Sequence, residues 1–151
     1  MCIRDRYTYD STGIDFTSYL VTGYNHFGDP SRKKMVNYLS MYFNRTENDW
    51  TGPETALVYD NPSSCLVRSR WDFSDSGVSG KWGSRFQAYR LLRPILAGNT
   101  GEAINYGYNT IVTKNKLRGS GKVLSLYVES EAGKDMHLLG WSMSSTISGN
   151  V

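Results

Sequence analysis

The sequence predicts an all-β fold, an antiparallel β-sandwich or jelly roll of about seven or eight strands with a C-terminal meander, and three observations carry that expectation. Apolar residues alternate with polar ones over several runs, joints rich in Gly, Pro, Asn and Asp separate those runs, and no window longer than about a turn has a 3.6-residue period. The best helical stretch, Ala88 to Ala97, is interrupted by Pro94.

Residues 1–6 are expected to stand apart from the fold. Met1-Cys2-Ile3-Arg4-Asp5-Arg6 matches the translation of a transposase sequencing adapter, in which ATG TGT ATA AGA GAC AG reads Met-Cys-Ile-Arg-Asp and then Arg or Ser. These six residues are therefore expected to be an artefact, and residues 7–151 to form one β-sandwich domain, the C-terminal part of a longer protein.

From Tyr7 onward the elements follow in order. Met35, Asn37, Leu39, Met41 and Phe43 alternate with Val36, Tyr38, Ser40, Tyr42 and Asn44. Both sets are fairly apolar, which predicts a central strand covered on both faces. In Cys65 to Phe73, one face carries Cys65, Val67, Trp71 and Phe73 and the other Arg68, Arg70 and Asp72, the pattern of a half-buried antiparallel strand. Ser84 to Arg93 repeats it, with Phe86, Ala88, Tyr89 and Leu91 toward the core and Arg85, Gln87, Arg90 and Arg93 outside. Thr110 to Leu117, Lys122 to Ser130 and Met136 to Ile147 read as three strands. The Gly-containing connectors between them predict hairpin loops and hence a three-strand meander. Every Pro sits in or beside a joint, where its missing N–H breaks no ladder.

Composition bounds the function. The chain has 151 residues, 39% apolar and 21% charged. One domain of this size buries roughly 68–70% of its unfolded surface and needs no metal or disulfide staple. Eleven Tyr, five Phe and four Trp exclude the low-hydrophobicity signature of disorder. No run approaches the ~18 apolar residues of a membrane helix, so no membrane partner is expected. Setting aside Arg4, Arg6 and Asp5 changes the net charge from +3 to +2. It also removes Cys2 and leaves Cys65 without an intrachain partner, so nothing points to an oxidising compartment.

Catalytic motifs fail on inspection. Gly119-Ser120-Gly121-Lys122 resembles the tail of a phosphate-binding loop, but Lys116 stands where that motif needs Gly and Val123 where it needs Ser or Thr. Gly77-Val78-Ser79-Gly80 lacks the second Gly of a nucleophile elbow, because Lys81 holds its place. His26, His137 and Cys65 lie too far apart to suggest a metal or a Cys–His pair. Asp72 is expected to pair with Arg68, Arg70 or Arg85 across strands, while Glu131 and Asp135 fall on a loop that offers no pocket to raise a pKa. No catalytic, metal or cofactor site is expected, and no cofactor.

The remaining signals are surfaces. Arg32-Lys33-Lys34 opens one strand, Arg68 and Arg70 share a face, and Lys114, Lys116, Arg118 and Lys122 cluster around the Gly119–Gly121 turn, with Tyr106, Tyr108 and Tyr127 near in sequence. Basic residues interleaved with aromatics can track a nucleic-acid backbone, although alternating cations on a strand also blunt edge pairing and add solubility. Trp71 and Trp141 read as core, whereas Trp50 and Trp82 fall in polar loops and are the candidates for ligand contact.

Three stretches resemble structural proteins of tailed-bacteriophage virions. They are Val21 to Asp29 leading into Arg32-Lys33-Lys34, then Cys65 to Phe73 with Phe86-Gln87-Ala88-Tyr89-Arg90, and Thr113 to Lys122 running on to Gly133 to Trp141. In the last, an Arg-Gly-x-Gly turn, an alternating strand and a closing Gly-Trp strand look like the C-terminal β-domain of tail proteins of the nozzle or tail-tube-associated kind. The resemblance implies a non-enzymatic virion component, assembled in the host cytoplasm, whose partners are copies of itself in a ring and other virion proteins. It also implies contact with DNA in a channel and no small-molecule ligand. Arg68, Arg70, Lys114, Lys116, Arg118 and Lys122 would then line a subunit boundary or face the channel, through head-to-tail contacts closed by rotation. A carbohydrate- or receptor-binding module using Trp50 and Trp82 is the alternative, and a polysaccharide hydrolase the third.

Overall fold

The computed structural model describes residues 2–3, 16–46, 50–51, 58–59, 63–74, 81–90 and 109–147. Among them lie ten strands and no helix: β1 (Cys2–Ile3), β2 (Tyr19–Val21), β3 (Lys34–Asn44), β4 (Trp50–Thr51), β5 (Val58–Tyr59), β6 (Leu66–Trp71), β7 (Phe86–Gln87), β8 (Thr110–Lys116), β9 (Leu124–Glu129) and β10 (Met136–Ile147). One sheet has the order β1-β10-β3-β8, a second the order β2-β9-β6-β7, and β4 and β5 form a separate pair. Every strand pairing is antiparallel. The chain is thus the all-β sandwich that its period-two patterning predicts.

The core lies between the inner faces of the two larger sheets. Val36, Leu39, Met41 and Phe43 of β3 meet Val67 and Trp71 of β6 and Leu124, Leu126 and Val128 of β9, all buried. Tyr89 closes one side, its ring edge-on to Phe43 at 5.3 Å between centroids. Ala88 and Tyr89 are buried and Arg85, Gln87 and Arg90 exposed, as expected, although the strand itself is only Phe86–Gln87 and the successive burial of Ala88 and Tyr89 departs from alternation beyond its end. Leu91 and Arg93 lie outside the described residues.

Within β3 the inward parity changes. Ser145 pairs with Val36 and Ser144 with Tyr38, so Asn37 is an extra residue on β3. Such a bulge flips the alternation, which is why Val36 and Leu39 both face the core. The strand is central in its sheet, between β10 and β8, but it is not covered on both faces: Met35 and Tyr38 are exposed. A second bulge, at Leu139, interrupts the pairing of β10 with β3 and leaves Leu139 exposed.

The three C-terminal strands form where the pattern places them, but they do not make a meander. β8 pairs with β3, β9 with β2 and β6, and β10 with β3 and β1. The two connectors therefore carry the chain from sheet to sheet rather than turning hairpins. β9 explains the choice, since five of its six residues are buried and it needs a neighbour on each side. Trp141 was expected in the core and is instead 38% exposed, although it lies opposite buried Met41.

Phe73 was likewise expected inside, yet it is 68% exposed. β6 ends at Trp71, and Asp72 and Phe73 turn the chain with φ of 51° and 59° while Ser74 N–H donates to Trp71 O at 3.1 Å. Two consecutive left-handed residues make a type I′ turn, in which Asp suits the first position and Gly the second. Phe73→Gly is accordingly expected to leave stability unchanged or raise it by up to about 1 kcal/mol, since relief of the left-handed backbone offsets the loss of the ring contact with Tyr24, 4.3 Å between centroids. An unfolding free energy from urea titration that falls by more than about 2 kcal/mol would show that the Phe73 ring packs as core does.

Candidate functional site

The outer face of the β2-β9-β6-β7 sheet gathers the most distinctive side chains. In β6, Val67, Ser69 and Trp71 are buried, so Leu66, Arg68 and Arg70 project outward. Arg68 lies opposite Tyr127 and Arg70 opposite Ser125 on β9. On the other side, Trp82 is bridged to Arg70. Both guanidinium carbons lie over the indole, at 4.9 Å from its centroid for Arg68 and 4.7 Å for Arg70.

Local chemistry places Trp82 there. Trp71 N–H donates to Lys81 O at 2.8 Å and Gly83 N–H to Ser69 O at 2.8 Å, so residues 81–83 run along β6. A Cβ on Gly83 would collide with Ser69 Oγ, and only glycine lets the chain approach this closely. Tyr19 of β2 stacks on Tyr127 at 5.7 Å with planes 13° apart. Arg85 pairs with Glu129 at 2.8 Å. Burial first, and then the charge and hydrogen bond of Glu129, push the Tyr127 phenol above its ordinary value, so it stays neutral.

Among the described residues, Arg68 leaves hydrogen-bonding capacity on this face unspent. Arg70 Nε donates to Ser74 O at 3.3 Å. Arg68 Nε is buried without a partner, and its side chain makes no hydrogen bond among the described residues. A guanidinium carries five N–H donors in a fixed fork, so Arg68 retains a strong preference for an acceptor from outside.

The six basic candidates do not form one surface. Arg68 and Arg70 occupy the outer face of one sheet, whereas Lys114 and Lys116 occupy that of the other, where Lys114 Nζ lies 4.3 Å from the Tyr38 ring centroid. Arg118 and Lys122 are exposed on the connector between β8 and β9. There the Arg118 carbonyl accepts from Trp71 Nε1 at 3.2 Å, and Lys122 N–H donates to Asp72 Oδ1 at 2.6 Å. Lys34 is buried, its ammonium donating to the carbonyls of Asp29 and Arg32, and so belongs to no basic surface. Trp50 lies on β4 opposite Tyr59, and its side chain lies outside the described residues, as do Tyr106 and Tyr108. Tyr127 is near Arg68, not near the lysines it neighbours in sequence.

The acidic and nucleophilic side chains are engaged structurally. Asp72 pairs with Lys81 rather than with an arginine, and it also accepts from the amides of Lys122 and Val123. Burial raises its pKa, but the Lys81 and amide hydrogen bonds outweigh it, leaving the carboxyl below the ordinary 3.8. Hydrogen bonds from Lys134 and then Ser64, both at 2.6 Å, hold Glu131 below its ordinary range. Burial pushes the Cys65 thiol up to about 12, which keeps it a thiol rather than a nucleophilic thiolate. His26 Nδ1 accepts from Gly28 N–H at 3.1 Å, and His137 meets Asn44 at 3.2 Å. Among the described residues no three His, Cys, Asp or Glu side chains group as metal ligands would. Gly77 to Gly80 lies outside the described residues.

Sequence reasoning singled out Arg68, Arg70 and Trp82 but missed Tyr19 and the Arg85–Glu129 pair. Tyr19 sits on a strand of only three residues, too short to show a period. Compared with family models, curated proteins and solved structures, the chain matches none.

Proposed function

We propose that the protein is a non-enzymatic structural component of a phage virion, a tail protein of the nozzle or tube-associated kind, which assembles through contacts between copies of itself and with other virion proteins. The observation that carries this reading is that both sheets of the sandwich turn cations backed by aromatics outward: Arg68 and Arg70 on Trp82, and Lys114 on Tyr38. Faces of this kind suit subunit contacts, in which Arg, Tyr and Trp are enriched. The described carboxylates Asp72, Glu129 and Glu131 are each tied to a lysine or arginine, and so are poorly placed for general acid–base work. The carbohydrate-binding alternative has less support, because a sugar stacking on Trp82 competes with the two guanidiniums for the indole.

Light scattering coupled to size exclusion, with negative-stain electron microscopy, tests the proposal. Closed rings are expected, and Arg68→Glu with Lys114→Glu is expected to shift them to smaller species. A monomer at every concentration up to the millimolar range overturns the reading. So does hydrolysis of cell-wall or capsule polysaccharide that Asp72→Asn abolishes in a folded chain.

A further inference from the structure

The geometry points to a single-stranded nucleic acid as the ligand of the outer face of the β2-β9-β6-β7 sheet, with phosphates on Arg68 and Arg70 and a base stacked on Tyr19. Charge supplies the first argument. Among the described residues, Arg68, Arg70 and Arg85 share this face with one carboxylate, Glu129, which neutralises Arg85. Among the described residues Arg68 and Arg70 have no carboxylate partner, and the buried Nε of Arg68 has no acceptor. Phosphate oxygens suit such a fork through paired N–H···O bonds.

The strand order supplies the second. Lys114 and Lys116 lie on β8, the end strand of its sheet, where cations discourage pairing with another chain. At Arg68 and Arg70, β6 is flanked by β9 on one side and by residues 81–83 on the other, so edge protection does not account for them. Two residues apart on one strand, they project side by side about 6.6–6.8 Å apart, a spacing suited to an extended phosphodiester chain. Contact with Trp82 restricts both side chains, which lowers the entropy lost when a ligand orders them.

Aromatic placement supplies the third. Tyr19 is 65% exposed and is backed by Tyr127, in line with Val21 and Arg68 across the sheet. An exposed ring braced from behind is a stacking platform, and it serves an unpaired base rather than one held in a duplex. The inference does not depend on ring assembly. A ring that ignores oligonucleotide leaves the structural reading in place, and a monomer that binds it leaves this one in place.

Fluorescence anisotropy of labelled oligo-dT with the full 151-residue chain tests the assignment. Binding is expected to weaken with salt, and Arg68→Ala with Arg70→Ala to weaken it about tenfold or more. Tyr19→Ala should cost about fivefold or more, whereas Lys114→Ala with Lys116→Ala should change it less than about threefold. Circular dichroism checks each fold. Should the alanine pair unfold, Arg68→Lys with Arg70→Lys keeps the charge, removes the fork, and should still weaken binding about threefold. No binding at low salt overturns the inference, as does an equal loss in the lysine pair. Tighter binding of duplex than of oligo-dT also overturns it, and so does displacement by polyglutamate as effective as by unlabelled oligo-dT, which would identify an acidic protein as the partner.

Discussion

Trp71→Ala is expected to lower the stability of the domain by about 3–5 kcal/mol, the range for removing a large aromatic side chain from a core. Trp71 is fully buried, and it touches both halves of the structure. Its ring packs with Leu124 and the core strands, while its Nε1–H donates to the Arg118 carbonyl on the connector that carries the chain from one sheet to the other. Deletion therefore opens a cavity and removes the shorter of two hydrogen bonds to the Arg118 carbonyl, the other coming from Ser69 Oγ at 3.4 Å, and the two costs act in the same direction. For a domain of this size each kcal/mol moves the melting temperature by roughly 2–4 °C, so the expected fall is on the order of 10 °C. Urea unfolding read by fluorescence and by circular dichroism checks it. Trp82→Ala, a change on an outer face, should cost less than about 1 kcal/mol. A Trp71→Ala loss as small as that would mean that the site collapses to fill the space.

Asp72→Ala is expected to cost about 2–3 kcal/mol, because a single carboxylate serves three donors. It pairs with Lys81, accepts from the amides of Lys122 and Val123, and joins the turn after β6 to the start of β9. Gly121 makes the arrangement sterically feasible, since a Cβ there would lie 2.7 Å from Asp72 Oδ1. The same carboxylate predicts a pH dependence. Its folded-state pKa is depressed below 3.8, so folding favours the ionised form. The stabilisation is fully present above the unfolded pKa and is lost as pH falls through the folded one. Urea midpoints of the unmodified chain should therefore decline below about pH 4, and those of Asp72→Ala should decline less steeply. Glu131 is also depressed, by Lys134 and then Ser64, so adding Glu131→Gln should flatten the acid limb further. An Asp72→Ala chain with an unchanged acid limb would show that Asp72 is not ionised through a preferential folded-state contact.

Much of the fold is legible in local pattern. Val67, Ser69 and Trp71 inside with Arg68 and Arg70 outside follows from the two-residue repeat, which a strand imposes whatever its neighbours. Where the repeat breaks, sequence is silent. The extra Asn37 that flips the parity of β3 is defined against Val36 and Tyr38 by their partners on β10, about a hundred residues away. Phe73 follows the apolar phase of its strand but lies in a left-handed turn, because β6 ends two residues earlier. Asp72 has three arginines as plausible partners in sequence and pairs with none, since Lys81 is brought alongside by the Gly83 contact to Ser69. The candidate site divides in the same way. Arg68 and Arg70 share a face by alternation alone, but their contact with Trp82 and the Tyr19–Tyr127 stack require strands from distant parts of the chain.

By itself the sequence determined the class of fold, the five longer strands and the inward faces of most of them, because side-chain alternation and turn chemistry are local properties of the backbone. Only the tertiary structure decided which strands pair. β8, β9 and β10 follow one another in the chain yet alternate between sheets, since their apolar faces must close on one another across a common core rather than lie side by side. That same choice divides the basic residues between two outer faces and places Arg68 and Arg70 on an inner strand beside Trp82 and Tyr127.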